Sequence, residues 1–214
     1  MYKRFFKRFI DFWIVLIGLV VLSPFLLIVS LVLYFANEGA GAFFFQLRPG
    51  KNGRVFKLLK FKSMNDKKDE HGNLLFDTER LTIAGKFIRK TSIDELPQLI
   101  NVLKGEMSLI GPRPLLLEYY PYYTEREQLR HTVRPGITGY TQVSGRNILT
   151  KWDERLEMDV YYVENISFCL DFKIFVKTIK NVLSGKDVSI IPGNGINSKL
   201  NVQRKNREIT HNND

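Results

Sequence analysis

Asp94 and Glu95 are adjacent carboxylates in the segment Arg89-Lys90-Thr91-Ser92-Ile93-Asp94-Glu95-Leu96-Pro97, which concentrates charge of both signs where a helix should begin. An ionised carboxylate fixed beside cations can attack phosphorus, as aspartyl-phosphate enzymes do. The positive end of a helix dipole would keep Asp94 ionised and attract phosphate. The same residues also fit a purely structural role. Ser92-Ile93-Asp94-Glu95 reads as a capping box with Ser92 as N-cap, whereas Pro97, comfortable only in a first turn, moves the N-cap to Asp94. Spacing alone leaves catalysis and capping both open.

Two further clusters could hold an anion. In Gly111-Pro112-Arg113-Pro114 the flanking prolines restrict the backbone, so the Arg113 guanidinium is presented at a fixed angle, suited to bidentate phosphate binding. In Arg134-Pro135-Gly136-Ile137-Thr138-Gly139, followed by Gly145-Arg146-Asn147, glycines would let backbone amides approach an anion while Arg134 and Arg146 supply charge. A proline-rich turn with a surface arginine is the plain alternative for the first cluster. Neither cluster is a P-loop, and the chain has no GxGxxG fingerprint. The 3 histidines are scattered and the 1 cysteine, Cys169, has no partner at ligand spacing, which argues against zinc.

The elements that position these residues are readable in part. Gly39 to Gly53, with Pro49, reads as a turn region, and Val55 to Lys62 alternates apolar and basic residues like a short strand. Asn65 to Asn73 reads as a surface loop. Leu81, Ile83, Ala84, Phe87 and Ile88 give helical spacing over Arg80 to Lys90. A second helix should start near Ser92 and stop at Lys104-Gly105, with Gly105 as its C-terminal glycine. An aromatic stretch follows from Glu118 to Arg130, and Gly193 to Asp214 is polar enough to be disordered. In Phe168 to Leu183 the residues Phe168, Phe172, Phe175, Ile179 and Val182 share a helical face, with Lys173, Lys177 and Lys180 off it. That pattern suits either a headgroup layer or a core with a solvated lysine face.

Phe12 to Ala36 contains no charged residue and is long enough to cross a bilayer core of about 30 Å as a helix. Lys3, Arg4, Lys7 and Arg8 precede it; Arg48, Lys51, Arg54, Lys57, Lys60 and Lys62 follow it. Positive flanks favour the cytoplasmic side, and here both flanks are positive. Ser23-Pro24 sits at the centre, where proline removes a helix hydrogen bond. The preferred reading is a re-entrant hairpin that dips into one leaflet, with Ser23 satisfying the freed carbonyl. An ordinary kinked transmembrane anchor is the alternative; a signal peptide cleaved near Ala40-Gly41-Ala42 fits worse, because the apolar run is too long.

The formal charge of +10 calls for anionic partners: lipid headgroups, phosphorylated small molecules or nucleic acid. The basic residues are spread over several motifs instead of forming one stripe with interleaved aromatics, so no nucleic-acid partner is expected. A single cysteine forbids an internal disulfide and agrees with a reducing compartment.

Several motifs occur together and in order: Ser23-Pro24, Phe61-Lys62-Ser63-Met64, Asp94-Glu95-Leu96-Pro97-Gln98, Asn101-Val102-Leu103-Lys104-Gly105, Gly111-Pro112-Arg113-Pro114 and Arg134-Pro135-Gly136-Ile137-Thr138-Gly139. Together with Arg130-His131 and Asp159-Val160-Tyr161-Tyr162-Val163, they resemble the bacterial sugar transferases of the small monotopic phosphoglycosyl transferase type, over Tyr2 to about Leu183. The resemblance implies a mixed α/β, mainly α fold. It would comprise a re-entrant membrane helix-break-helix over 1–38, one small cytosolic catalytic domain over 39–185 with interfacial amphipathic helices, and a polar tail over 186–214. It implies transfer of a sugar 1-phosphate, from a UDP-sugar of the N-acetylated amino or diamino type, to undecaprenyl phosphate, with release of UMP. On that reading Asp94 is the nucleophile and touches Mg2+, Glu95 assists, and Arg113 clamps phosphate, with Lys60, Arg89, Arg134 and Arg146 as further phosphate ligands. The expected setting is the cytoplasmic face of the bacterial inner membrane, with anionic lipids and downstream glycosyltransferases as partners. The rival is an inactive scaffold of a polysaccharide assembly complex.

Overall fold

The computed structural model describes residues 1–145, 151–184 and 199–211. It is mixed α/β and mostly helical, as expected. A turn of π-helix (Tyr2–Phe6) leads into α1 (Lys7–Ala36), 30 residues long with a mean hydropathy of 2.9 over its most apolar 18 residues. Among the described residues it is the one helix long and apolar enough to cross a membrane. Pro24 lies inside α1, which is one continuous helical element, and the proline leaves one carbonyl without its helical N–H partner. Pro24 lacks the N–H that would serve the Val20 carbonyl, and the Ser23 hydroxyl donates to that carbonyl instead at 2.8 Å.

One stripe of α1 packs on the rest of the chain. Val15 joins Phe56, Leu58, Val102 and Met107 in one core cluster, while Leu33 joins Ala42, Phe61 and Ile88 in another. Polar contacts close both ends. Near the start, Arg8 donates to the carbonyls of Val102 and Leu103, and Ser108 donates to Asp11 at 2.6 Å. Past the end, Asn37 donates to the carbonyls of Gly41 and Lys62 at 2.9 and 2.8 Å. The remaining circumference, including Ile17, Val21, Leu27 and Leu31, is exposed.

The segment read as a turn region contains a strand. β1 (Phe43–Pro49) pairs antiparallel with β2 (Val55–Phe61), from Phe43 opposite Phe61 to Pro49 opposite Val55. The glycines and Pro49 bracket the strand instead of replacing it. Beyond the loop come α2 (Asp77–Arg80) and α3 (Ile83–Lys90), the latter capped by the Thr82 hydroxyl, which accepts from Gly85 N. Neither capping scheme for the next helix holds. Ser92 is left-handed (φ 57°) with no side-chain cap bond, Ile93–Glu95 is a single 3-10 turn, and α4 (Gln98–Lys104) starts only after Pro97. Gly105 ends it in the left-handed region at φ 82°, as expected.

The rest of the domain wraps these elements. β3 (Ser108–Ile110) pairs parallel with β4 (Gly136–Thr138); between them lie a 3-10 stretch (Leu117–Tyr122), α5 (Glu125–Gln128) and a 3-10 turn (Leu129–Thr132). α6 (Tyr140–Val143), α7 (Trp152–Glu164) and α8 (Phe168–Ser184) follow. Gly136 and Gly139 of the Arg134–Gly139 segment serve close packing: a Cβ on Gly136 would lie 2.1 Å from Gly111 N, and one on Gly139 would lie 2.2 Å from Gly111 O. On α8 the core side is Asp171 and Ile174, whereas Phe168, Phe172, Phe175, Ile179 and Val182 are exposed, so those five do not form a core face. The buried Asp171 anchors the helix, accepting from Tyr2, Lys7 and Tyr162. In the tail expected to be disordered, residues 200–211 form α9 (Leu200–His211), with Leu200 buried against Tyr119, Tyr123, Trp152 and Leu156.

The amide of Asn101 bolts α4 to β2. Its Oδ1 accepts from Leu59 N at 3.0 Å; its Nδ2 donates to Lys57 O at 2.8 Å and Glu106 Oε2 at 2.7 Å. These bonds hold the turn that leads into α4 against the strand that carries Lys60. Removing the amide strands buried backbone groups, so Asn101→Ala should cost on the order of 3 kcal/mol. Thermal unfolding in detergent would read this as a drop of roughly 5–10 °C in Tm.

Candidate active site

The two carboxylates leave the chain on the 3-10 turn Ile93–Glu95, at the junction between α3 and α4. Glu95 is fully engaged. Its Oε1 accepts from Lys60 Nζ at 2.6 Å and from Arg113 Nη2 at 2.6 Å, and its Oε2 accepts from Arg113 Nη1 at 3.4 Å. Asp94 is not: its Oδ2 lies 3.7 Å from Lys60 Nζ, and no hydrogen bond reaches it from the described residues. The four side chains are 15–27% exposed, desolvated enough to strengthen each charge and still reachable from outside.

That asymmetry separates the two titrations. Burial pushes the Asp94 carboxyl up to about 6; Lys60 opposes the rise and the Glu95 charge adds to it. Burial acts on Glu95 in the same sense, but Arg113 and Lys60 outweigh it and hold that carboxyl well below the usual range. The dyad is thus one permanently ionised, hydrogen-bonded carboxylate beside one that is unclaimed and readily protonated.

Each cation is aimed by its own support. Lys60 comes from β2, and Arg113 from the turn after β3. Arg89, from the last turn of α3, donates through Nε to Ser63 Oγ at 2.8 Å, and its charge acts on Asp94. The backbone of Arg113 is held from behind. Its carbonyl accepts from Arg130 Nη2 at 2.7 Å, and Arg130 is paired with Asp159 at 2.8 Å, with the two side chains 1% and 8% exposed. Thr141 in turn donates to Asp159 at 2.7 Å. Arg130 and Asp159, which the sequence shows only as motif members, therefore form the base on which Arg113 stands.

Lys60, Arg89, Asp94, Glu95 and Arg113 come together as the sequence suggested. Arg134 does not. Its Nε donates to Gly105 O at 2.7 Å, at the far end of α4, where it serves the last turn of a helix about 10 Å long. Arg146 lies outside the described residues, and Ser23-Pro24 belongs to α1, as described above. One cation was missed. Arg48, on β1, is close enough to Arg113 for the two charges to oppose each other; burial and then Arg113 bring its pKa down to about 10. A signal existed: Arg48-Pro49-Gly50 repeats the tripeptide Arg134-Pro135-Gly136, and the copy that had been read as a turn is the one beside the site.

A long apolar helix and a carboxylate dyad ringed by cations are features that an enzyme of phosphorylated substrates at a lipid surface would need. The bacterial sugar transferase family model matches residues 2–185, and the chain belongs to that family. It is 54% identical over 150 residues to the uncharacterized sugar transferase EpsL of Bacillus subtilis, covering 70% of this chain and 74% of that protein. It is 44% identical over 192 residues to the galactosyl transferase CpsE of Streptococcus agalactiae, covering 84% of this chain and 42% of that one. A third relative, the UDP-N-acetylgalactosamine-undecaprenyl-phosphate N-acetylgalactosaminephosphotransferase of Aeromonas hydrophila, is 41% identical over 85% of this chain and 44% of its own length. The chain thus spans less than half the length of the latter two.

Removing the partner of a buried charge is costly. Asp159→Ala leaves Arg130 buried and unpaired and should destabilise the protein by about 3–5 kcal/mol. Asp159→Asn, whose amide oxygen can still accept from Arg130 while its NH2 donates to the Thr141 hydroxyl, should cost less in the same denaturation experiment.

Proposed function

We propose that this chain is a polyprenyl-phosphate phosphoglycosyl transferase that moves a sugar 1-phosphate from a UDP-sugar to undecaprenyl phosphate and releases UMP. The observation that carries the reading is the unequal dyad: Glu95 is locked by Lys60 and Arg113, while Asp94 beside it keeps its carboxylate unbonded in a cationic surround. The relatives whose names specify undecaprenyl phosphate and a phosphosugar support it, and the relative from Aeromonas hydrophila makes an N-acetylated amino sugar a first donor to try, with diamino sugars next.

In the first step an Asp94 oxygen attacks the β-phosphorus of the donor. A new P–O bond forms, the bond to the bridging oxygen breaks, and UMP leaves with that electron pair, so the sugar phosphate rests on Asp94 as an acyl phosphate. An oxygen of the acceptor phosphate then attacks the same phosphorus and the Asp94–phosphorus bond breaks. The carboxylate is restored and the lipid carries a diphosphosugar. Glu95 holds Lys60 and Arg113 in place through both steps, and those two, with Arg89, balance the phosphoryl charge. Magnesium belongs to the proposal. It is ordinarily held by one or two carboxylates plus substrate phosphates, which matches the single unbonded carboxylate of Asp94. When bound, it would neutralise diphosphate charge.

The setting follows the same logic. Both ends of α1 touch one domain, Arg8 through α4 and Asn37 through the residue after β2. A helix crossing the full hydrocarbon layer would carry one end about 30 Å away from the surface that holds the other. This supports a re-entrant, monotopic anchor on the cytoplasmic face, with the exposed phenylalanines of α8 in the headgroup layer of anionic lipids.

The test is UMP release from a panel of UDP-sugars with undecaprenyl phosphate and magnesium, comparing wild type with Asp94→Asn. Release that depends on acceptor and vanishes in the variant is expected; turnover surviving in the variant would sink the role of Asp94. The pH profile adds a second check. Asp94 must be ionised to attack and its pKa is raised to about 6, so protonation sets in early as pH falls. Donor kcat/KM should therefore decline about tenfold per unit below that value, with Glu95 still ionised. A profile flat down to the usual carboxylate range would contradict it.

A further inference from the structure

Among the described residues Arg48 is a cation without a counter-ion. Its Nη2 donates to Gln46 Oε1 at 2.5 Å, an uncharged acceptor, and its Nε is buried with no hydrogen-bond partner. Among the described residues no carboxylate forms an ion pair with it. Glu118, the one acidic residue that acts on it, is 3.6 Å from Lys199. A guanidinium withdrawn from water without a partner is unfavourable. The two phenols beside it, Tyr119 and Tyr123, do not help: burial raises both their pKa values, so they stay neutral.

The strongest charged neighbour of Arg48 has the same sign. Arg113 already gives its fork to Glu95, which Lys60 shares. Counting Arg48, Lys60, Arg89 and Arg113 against Asp94 and Glu95 leaves two positive charges in excess. Arg48 is near enough to Arg113 for their charges to act on each other, and its Nε–H is unused; such a pair of guanidiniums suits the oxygens of a phosphoryl group.

We propose that Arg48 and Arg113 form a second phosphoryl subsite, which takes the oxyanion of a substrate phosphate other than the one Asp94 attacks. The inference rests on the phosphoryl-transfer reading above. Two phosphates have the required chemistry: the α-phosphate of the nucleotide donor and the phosphate of the lipid acceptor.

The experiment uses the full chain in detergent as wild type, Arg48→Gln and Arg48→Lys. Inorganic pyrophosphate binding is measured first by calorimetry, independently of turnover. Arg48→Gln should weaken it roughly tenfold, and Arg48→Lys, which keeps charge but loses the fork, should fall between. Donor KM and acceptor KM then assign the source: a rise in donor KM points to the nucleotide phosphate, and a rise in acceptor KM alone points to the lipid phosphate. Pyrophosphate affinity and both KM values within about twofold of wild type, in a variant with unchanged Tm, would overturn the subsite. If Arg48→Gln does not fold, Arg48→Lys decides by the same criteria. A wild type that binds pyrophosphate through Arg48 yet releases no UMP would keep the subsite and remove the phosphoryl-transfer reading.

Discussion

The site depends on one carboxylate whose bonding is already taken up. Glu95 accepts from Lys60 on β2 and from Arg113 on the turn after β3, so a single side chain ties the hairpin, the α3–α4 junction and the Arg113 turn together. Without it, two cations would face Asp94 with nothing to fix their distance. With it, Lys60 stops at 3.7 Å from Asp94, near enough to stabilise charge and too far to make a hydrogen bond.

Everything behind this clamp serves to keep it in register. Asn101 pins α4 to Leu59 N and Lys57 O, which flank the strand position leading to Lys60. Asp159 and Arg130 hold the Arg113 carbonyl from the other side. Gly85 lets α3 approach the Ser63 backbone so closely that a Cβ there would meet the Ser63 carbonyl oxygen at 1.8 Å, and Ser63 is the residue that orients Arg89. These supports are buried and partnered, whereas Asp94 and Arg48 keep unused bonding capacity. That unused capacity is what the proposed substrate phosphates would take up.

The sequence revealed the chemistry better than the architecture. Asp94-Glu95, Arg113, Lys60 and Arg89 are conspicuous as charges near prolines or helix ends, and Ser23-Pro24 announces its own compensation. The capping reading failed because Ser92 takes a left-handed turn, which no side-chain pattern signals, and delays the helix to Gln98. β1 was hidden by the glycines that bracket it, and with it Arg48. Arg134 looked like a phosphate ligand because charge and glycine coincide; its actual partner is a helix-end carbonyl 29 residues away in sequence, a contact that local pattern cannot show. Likewise α9 looked too polar to fold, yet Leu200 finds the aromatic cluster and Arg204 pairs with Glu127 and Asp153 at 2.6 Å.

The division of labour within the dyad is tested most directly by trapping the enzyme between its two half-reactions. Incubation with an accepted UDP-sugar and no lipid acceptor should release one UMP per enzyme and leave a sugar phosphate on the peptide containing Asp94, identified by mass. A phosphosugar on Glu95, or UMP released only when acceptor is present with no adduct at all, would contradict a nucleophilic Asp94 held ready by a structural Glu95.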